Sequence, residues 1–214
     1  MRKPKKRRPY DASRRQRRAV ESREHVLDVA RRLFAERGYA ETTMEAMATE
    51  GEIAVPTLYA AFQSKRGVLS ALLNRLVSGE PGEPPILQSA GARTVLAEPD
   101  PRRALALFAR DMSRIQERVG PTYEVMKNAA RTEADVAELF ARAQQNRFAN
   151  LAAVAAQLSA RGGLRKGLTV EEAGRTIWVL ASPEVRQMLV THAQWSSERY
   201  RVWLEDTLAA ALLG

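Results

Sequence analysis

Apolar residues recur at three- and four-residue intervals through most of this 214-residue chain, the spacing of amphipathic helices. Val26, Leu27, Ala30, Leu33 and Phe34 form the first stripe, on a helix expected over about residues 18–37 and closed by Gly38. Thr42 with Glu45 three places later has the form of a capping box. A second, short helix is therefore predicted from Thr43, with Met44, Met47 and Ala48 inward and Gly51 interrupting it. A third starts near Val55 with Pro56 in its first turn, where a missing N–H is harmless, and it buries Leu58 and Phe62. Ser64 caps a fourth, over residues 65–78, whose apolar side is Val68, Leu69, Leu72, Leu73 and Leu76.

Beyond Ser78 the pattern lapses. Pro81, Pro84, Pro85 and Pro99 with Gly79, Gly82 and Gly91 predict a long loop, or two loops flanking a short turn. Helical spacing returns with Leu105, Phe108, Met112 and Ile115 on a helix over 101–118, which Gly120-Pro121 is expected to break before another over 122–131. Residues 133–161 read as a long alanine-rich helix stopped by Gly162-Gly163. Thr169 with Glu172 is a second capping box opening a helix to about Leu180; Ser182 opens a short one to His192, and Ser196 caps the last. No alternating strand pattern of useful length occurs, so the fold class is all-α without internal repeats.

Two short helices joined by a tight turn form a helix-turn-helix, whose second helix can lie in a DNA major groove. With Leu58 and Phe62 facing inward, Thr57, Tyr59 and Ala60 point away from the core. The start of the fourth helix offers free amides and Lys65, a combination suited to a phosphate.

Charge sharpens this picture. The net charge is +9, and residues 1–18 hold ten Lys or Arg and one acid, which accounts for all of it; the remainder of the chain is neutral. Such a block, with Pro4 and Pro9, is expected to be a disordered arm when free. Beside a helix-turn-helix it can follow phosphates or enter a minor groove, with Arg7, Arg8, Arg14 and Arg15 as candidates.

Other chemistry is poorly supported. Zero cysteines exclude disulfides and thiolate ligands. His25 and His192 have no Cys or His neighbour at metal-ligand spacing, and no glycine loop cradles phosphate, so no catalytic residue, metal or cofactor is expected and the chain is not read as an enzyme. A charged stretch follows the basic start where a signal peptide needs an apolar one, and no run of about 18 apolar residues occurs. A cytoplasmic location without membrane partners is the expectation.

The run over residues 26–73 resembles the N-terminal domain of the TetR family of bacterial transcriptional regulators. The likeness rests on ARRLFAERGY at 30–39, the Thr42-Thr43 entry, and TLYAAF with the following SK at 57–65. A weaker similarity, SPEVRQMLVTHAQWSSERYRVWLEDTL at 182–208, extends it to the tail of one branch of that family. The resemblance implies an N-terminal three-helix helix-turn-helix DNA-binding domain and a larger helical ligand-binding and dimerisation domain. It divides the chain into an arm (1–18), a DNA-binding domain (19–78), a linker loop (79–100) and an effector-binding and dimerisation domain (101–214).

Carried over by position, Thr43 and Tyr59 are phosphate clamps with Lys65 a third, and Val55, Pro56, Thr57 and Ala60 face the bases. The sequence departs from the family pattern at the turn, where Glu52 replaces a usual glycine and Ala54 a frequent serine. The exposed part of the recognition helix carries no Arg, Asn, Gln, Lys or His before Gln63, so bidentate base recognition is not expected and specificity leans on DNA shape and on the arm.

The resemblance also implies a pocket, for which Phe108, Met112, Tyr123, Met126, Phe140, Arg147 and Trp178 are candidates, with Asn146 beside them. For a dimer interface the stripe Ile177, Leu180, Val185, Tyr200, Trp203, Leu204, Leu208, Ala211 and Leu212 is the candidate, equally able to pack inside one subunit. The expected function is a sequence-specific repressor, acting as a homodimer on an inverted repeat in double-stranded DNA and released by an unknown small-molecule effector. A basic nucleic-acid-binding protein without sequence preference, or a helical adaptor for another protein, also fits the charge and the helices.

Overall fold

The computed structural model describes residues 12–79 and 89–214. The described chain is helical: α1 (Ala12–Arg37), α2 (Met44–Glu50), α3 (Val55–Phe62), α4 (Lys65–Ser78), α5 (Ala90–Ala97), α6 (Pro101–Ala129), α7 (Ala134–Ala160), α8 (Val170–Leu180), α9 (Pro183–Arg186) and α10 (Ser197–Leu212). A wider π-helical stretch, Gln187–His192, continues α9. Among the described residues the only β-type pairing is an isolated bridge between Leu164 and Leu213.

Helix α1 begins six residues before the expected start near residue 18, so residues 12–18, expected to belong to a disordered arm, have helical backbone. Ala, Arg and Gln in that stretch are strong helix formers and no proline follows Pro9 there. Arg14 and Arg15 lie on these first turns; Arg7 and Arg8 lie outside the described residues.

The N-cap of α2 is Thr43, whose Oγ1 accepts the Ala46 amide at 3.0 Å, so the Thr42–Glu45 capping box does not form. Thr42 is instead buried, and its hydroxyl lies near the carbonyls of Gly38 at 2.7 Å and Leu33 at 3.2 Å. It ties the end of α1 to the start of α2. The second box is present as expected, with Thr169 and Glu172 capping each other's main chain at the start of α8.

One predicted break is partly filled and another is absent. A two-turn helix, α5, capped by Ser89, occupies part of the expected linker loop. Gly120-Pro121 does not end a helix either: α6 runs 29 residues through Pro121. Proline there removes one main-chain hydrogen bond, to the Glu117 carbonyl, but both residues are exposed and water can take the freed carbonyl. What holds the helix straight through is burial on its other face, of Leu105, Phe108 and Gln116 before the proline and Thr122, Tyr123 and Met126 after it.

That continuity matters because the chain has two cores and α6 belongs to both. The first joins the inner faces of α1 to α4 with Val119, Tyr123, Met126 and Ala129 of α6 and Val136 of α7. The second joins α5, the first half of α6, the later part of α7, α8 and α10, with Leu105, Phe108, Leu158, Ile177, Tyr200, Leu204 and Leu212 fully or nearly fully buried. Ile177, Tyr200, Leu204, Leu208 and Leu212, candidates for a dimer interface, thus pack inside one subunit, and Leu180, Val185, Trp203 and Ala211 lie partly buried against them. No described helix is long and apolar enough to cross a membrane.

Candidate functional site

Four arginines and three acids of α1 and its neighbours hold the helix-turn-helix together. Arg32 and Arg37 both donate to Glu50 at the end of α2, at 2.6 and 2.8 Å. Arg23 donates to the Ala61 carbonyl at 2.9 Å, with its guanidinium 4.3 Å from the centroid of the Phe62 ring, and so grips the end of α3. On α4, the mostly buried Arg75 pairs with Glu24 at 3.1 Å and Asp28 at 2.8 Å. The Arg32 hydrogen bond, then the nearby Arg37, holds the Glu50 carboxyl below its ordinary value.

The turn between α2 and α3 solves the missing-glycine problem in an unexpected way. Glu52 itself adopts a left-handed backbone, φ +50°, while Gly51 keeps φ −86°. Gly51 is needed for space: a Cβ there would meet the Met47 carbonyl oxygen at 2.9 Å. Gln63, at the far end of α3, is also left-handed at φ +67°. The recognition helix is therefore bracketed by two non-glycine residues in a conformation that ordinarily favours glycine.

On α3, Leu58 and Phe62 are buried, whereas Pro56, Thr57, Tyr59 and Ala60 are exposed, Tyr59 at 43%. Val55 departs from its expected base-facing role: it is half-buried and packs against the first core. Thr43 is exposed, and while its oxygen caps α2 its hydroxyl hydrogen is left for an outside acceptor.

Lys65 is engaged differently from a free clamp. Its Nζ donates to the carbonyls of Tyr39 at 2.8 Å and Ala40 at 3.2 Å and sits 4.2 Å from the centroid of the Tyr39 ring. It braces the α1–α2 connection, leaving one N–H over. Burial pushes the Tyr39 hydroxyl up to about 12.

The residues expected to line one pocket fall into two places. Tyr123 and Met126 are buried in the first core with Phe140 against them, its ring 5.6 Å from that of Tyr123. Phe108 is buried in the second core, where Met112 and Trp178 are half-buried. The split follows from the unbroken α6, which carries Phe108 and Tyr123 into different cores. Asn146 is exposed.

Between the cores lies a polar cluster to which five helices contribute. Gln116 of α6 donates to the Ala181 carbonyl and accepts from the Tyr200 hydroxyl of α10 at 2.8 Å. Arg147 of α7 donates Nη2 to the carbonyls of Trp178 at 2.6 Å and Ala181 at 2.8 Å, capping the end of α8. Tyr123 donates to Glu184 of α9 at 2.8 Å. Arg186 donates to Ser197 at 3.1 Å, and its guanidinium lies 5.9 Å from the Tyr200 ring. Burial pushes Tyr200 up to about 12, against the lowering effect of its bond to Gln116, and raises Tyr123, which the Glu184 carboxylate raises further.

Of this cluster only Arg147, Trp178 and Tyr123 were expected at a ligand site. A signal existed for Gln116, a polar residue four places after Met112 on the apolar stripe of α6. Glu184 and Arg186, on a single short turn, gave none. Among the described residues no group of three or more His, Cys, Asp or Glu could hold a metal ion.

Comparison with known proteins agrees with this architecture. Residues 26–72 match the family described as bacterial regulatory proteins, tetR family. No curated protein sequence matches significantly. Among solved structures, a protein of Syntrophomonas wolfei described as a TetR-family transcriptional regulator superposes with a TM-score of 0.72 at 19% identity, covering 90% of this chain and 97% of its own. NalD of Pseudomonas aeruginosa, described as the secondary repressor of the MexAB-OprM multidrug efflux pump, gives 0.68 at 18% identity over 90% and 97%. A transcriptional regulator of Saccharomonospora viridis, solved in complex with choline, gives 0.66 at 18% identity over 91% and 98%. Residues 26–72 thus form a tetR-family domain, set in a two-part helical fold that these structures share.

Proposed function

We propose that the chain is a DNA-binding repressor that works as a homodimer on an inverted repeat and is released by a small molecule bound in its larger domain. The observation that carries this is the match of residues 26–72 to the TetR family, on a helix-turn-helix whose α3 leaves Pro56, Thr57, Tyr59 and Ala60 exposed. Thr43 and Tyr59 donate hydroxyl hydrogens to phosphates. Pro56 and Ala60 meet thymine methyl groups, and Thr57 supplies one adaptable hydroxyl. Lys65 braces the loop before α2 and gives at most one further N–H. A surface with so little base-edge chemistry needs the basic arm for affinity and DNA shape for selectivity.

Two structural features support the effector half of the reading. The polar cluster lies where α6, α7, α8 and α10 converge, and α6 carries any movement there directly into the core of the DNA-binding head. Relatives of the same fold include a choline complex and an efflux-pump repressor. A dimer reads two half-sites, and the large apolar residues left exposed on the later helices, Val179 at 51%, Met188 at 55% and Val202, are available to a two-fold mate.

The test is an anisotropy titration of the full chain against a palindrome-bearing promoter duplex and a random duplex, at two salt concentrations. Tighter binding to the palindrome supports the repressor; equal affinity for both points to a non-specific basic protein. Deleting residues 1–11, which carry six Lys or Arg, is expected to flatten the slope of log K against log salt by as much as about five units, at about 0.9 per phosphate neutralised. An unchanged slope would take the arm off the DNA.

A further inference from the structure

Among the described residues, buried side-chain nitrogens without a hydrogen-bond partner occur at Arg147 Nη1, Trp178 Nε1 and Arg186 Nε. They belong to one neighbourhood. The Arg147 guanidinium lies 5.5 Å from the Trp178 ring, and its Nη2 shares the Ala181 carbonyl with Gln116, which in turn bonds Tyr200, the ring beside Arg186. Buried donors are nearly always satisfied, so three in a single cluster call for an acceptor that arrives from outside.

The charge of the cluster says what kind. Neither Arg147 nor Arg186 forms an ion pair among the described residues, and the cluster's carboxylate, Glu184, accepts from Tyr123 instead. Two guanidiniums against one carboxylate leave a surplus of one positive charge. Desolvation by burial lowers the Arg147 pKa from its ordinary value, with Tyr123 and Glu184 only partly opposing the shift. Arg147 does cap α8, but only with Nη2; Nη1 is the arm of its fork left over. A planar group with two acceptor oxygens and a single negative charge matches both the donors and the surplus. The rings of Phe148 and Trp178, edge to face at 6.5 Å, provide apolar surface alongside.

We propose that the small molecule sensed by this chain is a monocarboxylate with an apolar body, its carboxylate held by Arg147 Nη1 and Trp178 Nε1 with Arg186 adding attraction. This rests on the reading of the larger domain as an effector domain, and it gives that effector a chemical class. The site is a charge trap lined by three buried donors, and a neutral or cationic analogue leaves them unanswered.

The experiment uses the full chain without DNA. Benzoate, phenylacetate, octanoate and decanoate are titrated beside their primary amides, with ionic strength matched by sodium chloride, and binding is followed by melting temperature and tryptophan fluorescence. At least one carboxylate is expected to raise the melting temperature, with its amide bound more than about tenfold more weakly. Arg147→Gln abolishes the response, Arg147→Lys restores part of it, and Trp178→Phe weakens it. Should Arg147→Gln fail to fold, Trp178→Phe, which leaves the carbonyls of α8 in place, carries the same comparison.

The proposal is overturned if no carboxylate acts at about 10 mM, well above any useful effector Kd, if an amide equals its acid, or if these variants respond as the unaltered chain does. Binding of a carboxylate by a chain that ignores promoter DNA would leave this site standing and remove the repressor. Selective DNA binding with indifference to every carboxylate would do the reverse.

Discussion

At the scale of single residues, the recognition helix is fixed by strain as much as by bonds. Glu52 and Gln63 each hold a left-handed backbone without being glycine, at a cost of about 1–2 kcal/mol apiece. Glu52→Gly is expected to raise the unfolding free energy by about 1 kcal/mol, part of the relief being offset by glycine's entropy in the unfolded chain; urea denaturation measures it. Gly51→Ala, one place earlier, should lower stability, because its Cβ would press on the Met47 carbonyl at 2.9 Å. Glu50 gives a pH signature. Its folded carboxyl titrates below the ordinary 4.5 because Arg32 and Arg37 bond it, so its stabilisation is complete above that value and is lost as pH falls through the folded one. The difference in melting temperature between the native chain and Glu50→Gln should therefore be largest near neutrality and vanish in acid. Residue roles were only partly legible beforehand. Thr42 and Thr43 are adjacent, chemically identical and both followed by plausible helix, and only burial separates the one that ties α1 to α2 from the one that caps. Lys65 likewise reads as an exposed cation until its carbonyl partners, 25 and 26 residues away, are seen.

Among the elements, local rules were right where a cap or stripe stood alone and wrong where packing opposed a breaker. The boxes and stripes of α3, α4, α8 and α10 carried their boundaries, because their apolar faces and capping residues agree. Gly120-Pro121 reads as a stop, yet burial on both sides of Pro121 overrides it. Replacing this exposed proline restores a main-chain donor without disturbing a packed side chain. Pro121→Ala is expected to stabilise the protein by about 1–3 kcal/mol, read as a higher melting temperature; a lower one would mean that the ring itself packs. The missed α5 has a simpler cause, since prolines and glycines near both of its ends hid an eight-residue helix capped by Ser89. The polar cluster was the least legible feature, as its members come from five helices and only Gln116 breaks a pattern that sequence displays.

For the molecule as a whole, the two cores do not coincide with the boundary that composition suggests. Residues 79–100 look like a seam, yet the head's core closes only with Val119, Tyr123, Met126, Ala129 and Val136, from the far side of it. Further ties cross the same seam: Arg118 donates to the Leu76 carbonyl at 3.2 Å, and Arg66 lies 3.8 Å from Glu138. Head and body share a structural member, with the first half of α6 in the body's hydrophobic core and the second half in the head's. For anyone exchanging heads among proteins of this fold, this sets where the graft must be made. A transplant cut at residues 79–100 would seat a foreign head against the recipient's own second half of α6 instead of its native one, and should melt well below either parent. Carrying residues 119, 123, 126, 129 and 136 across with the donor head should restore the melting temperature, because those five positions are the mortise into which any new head has to fit.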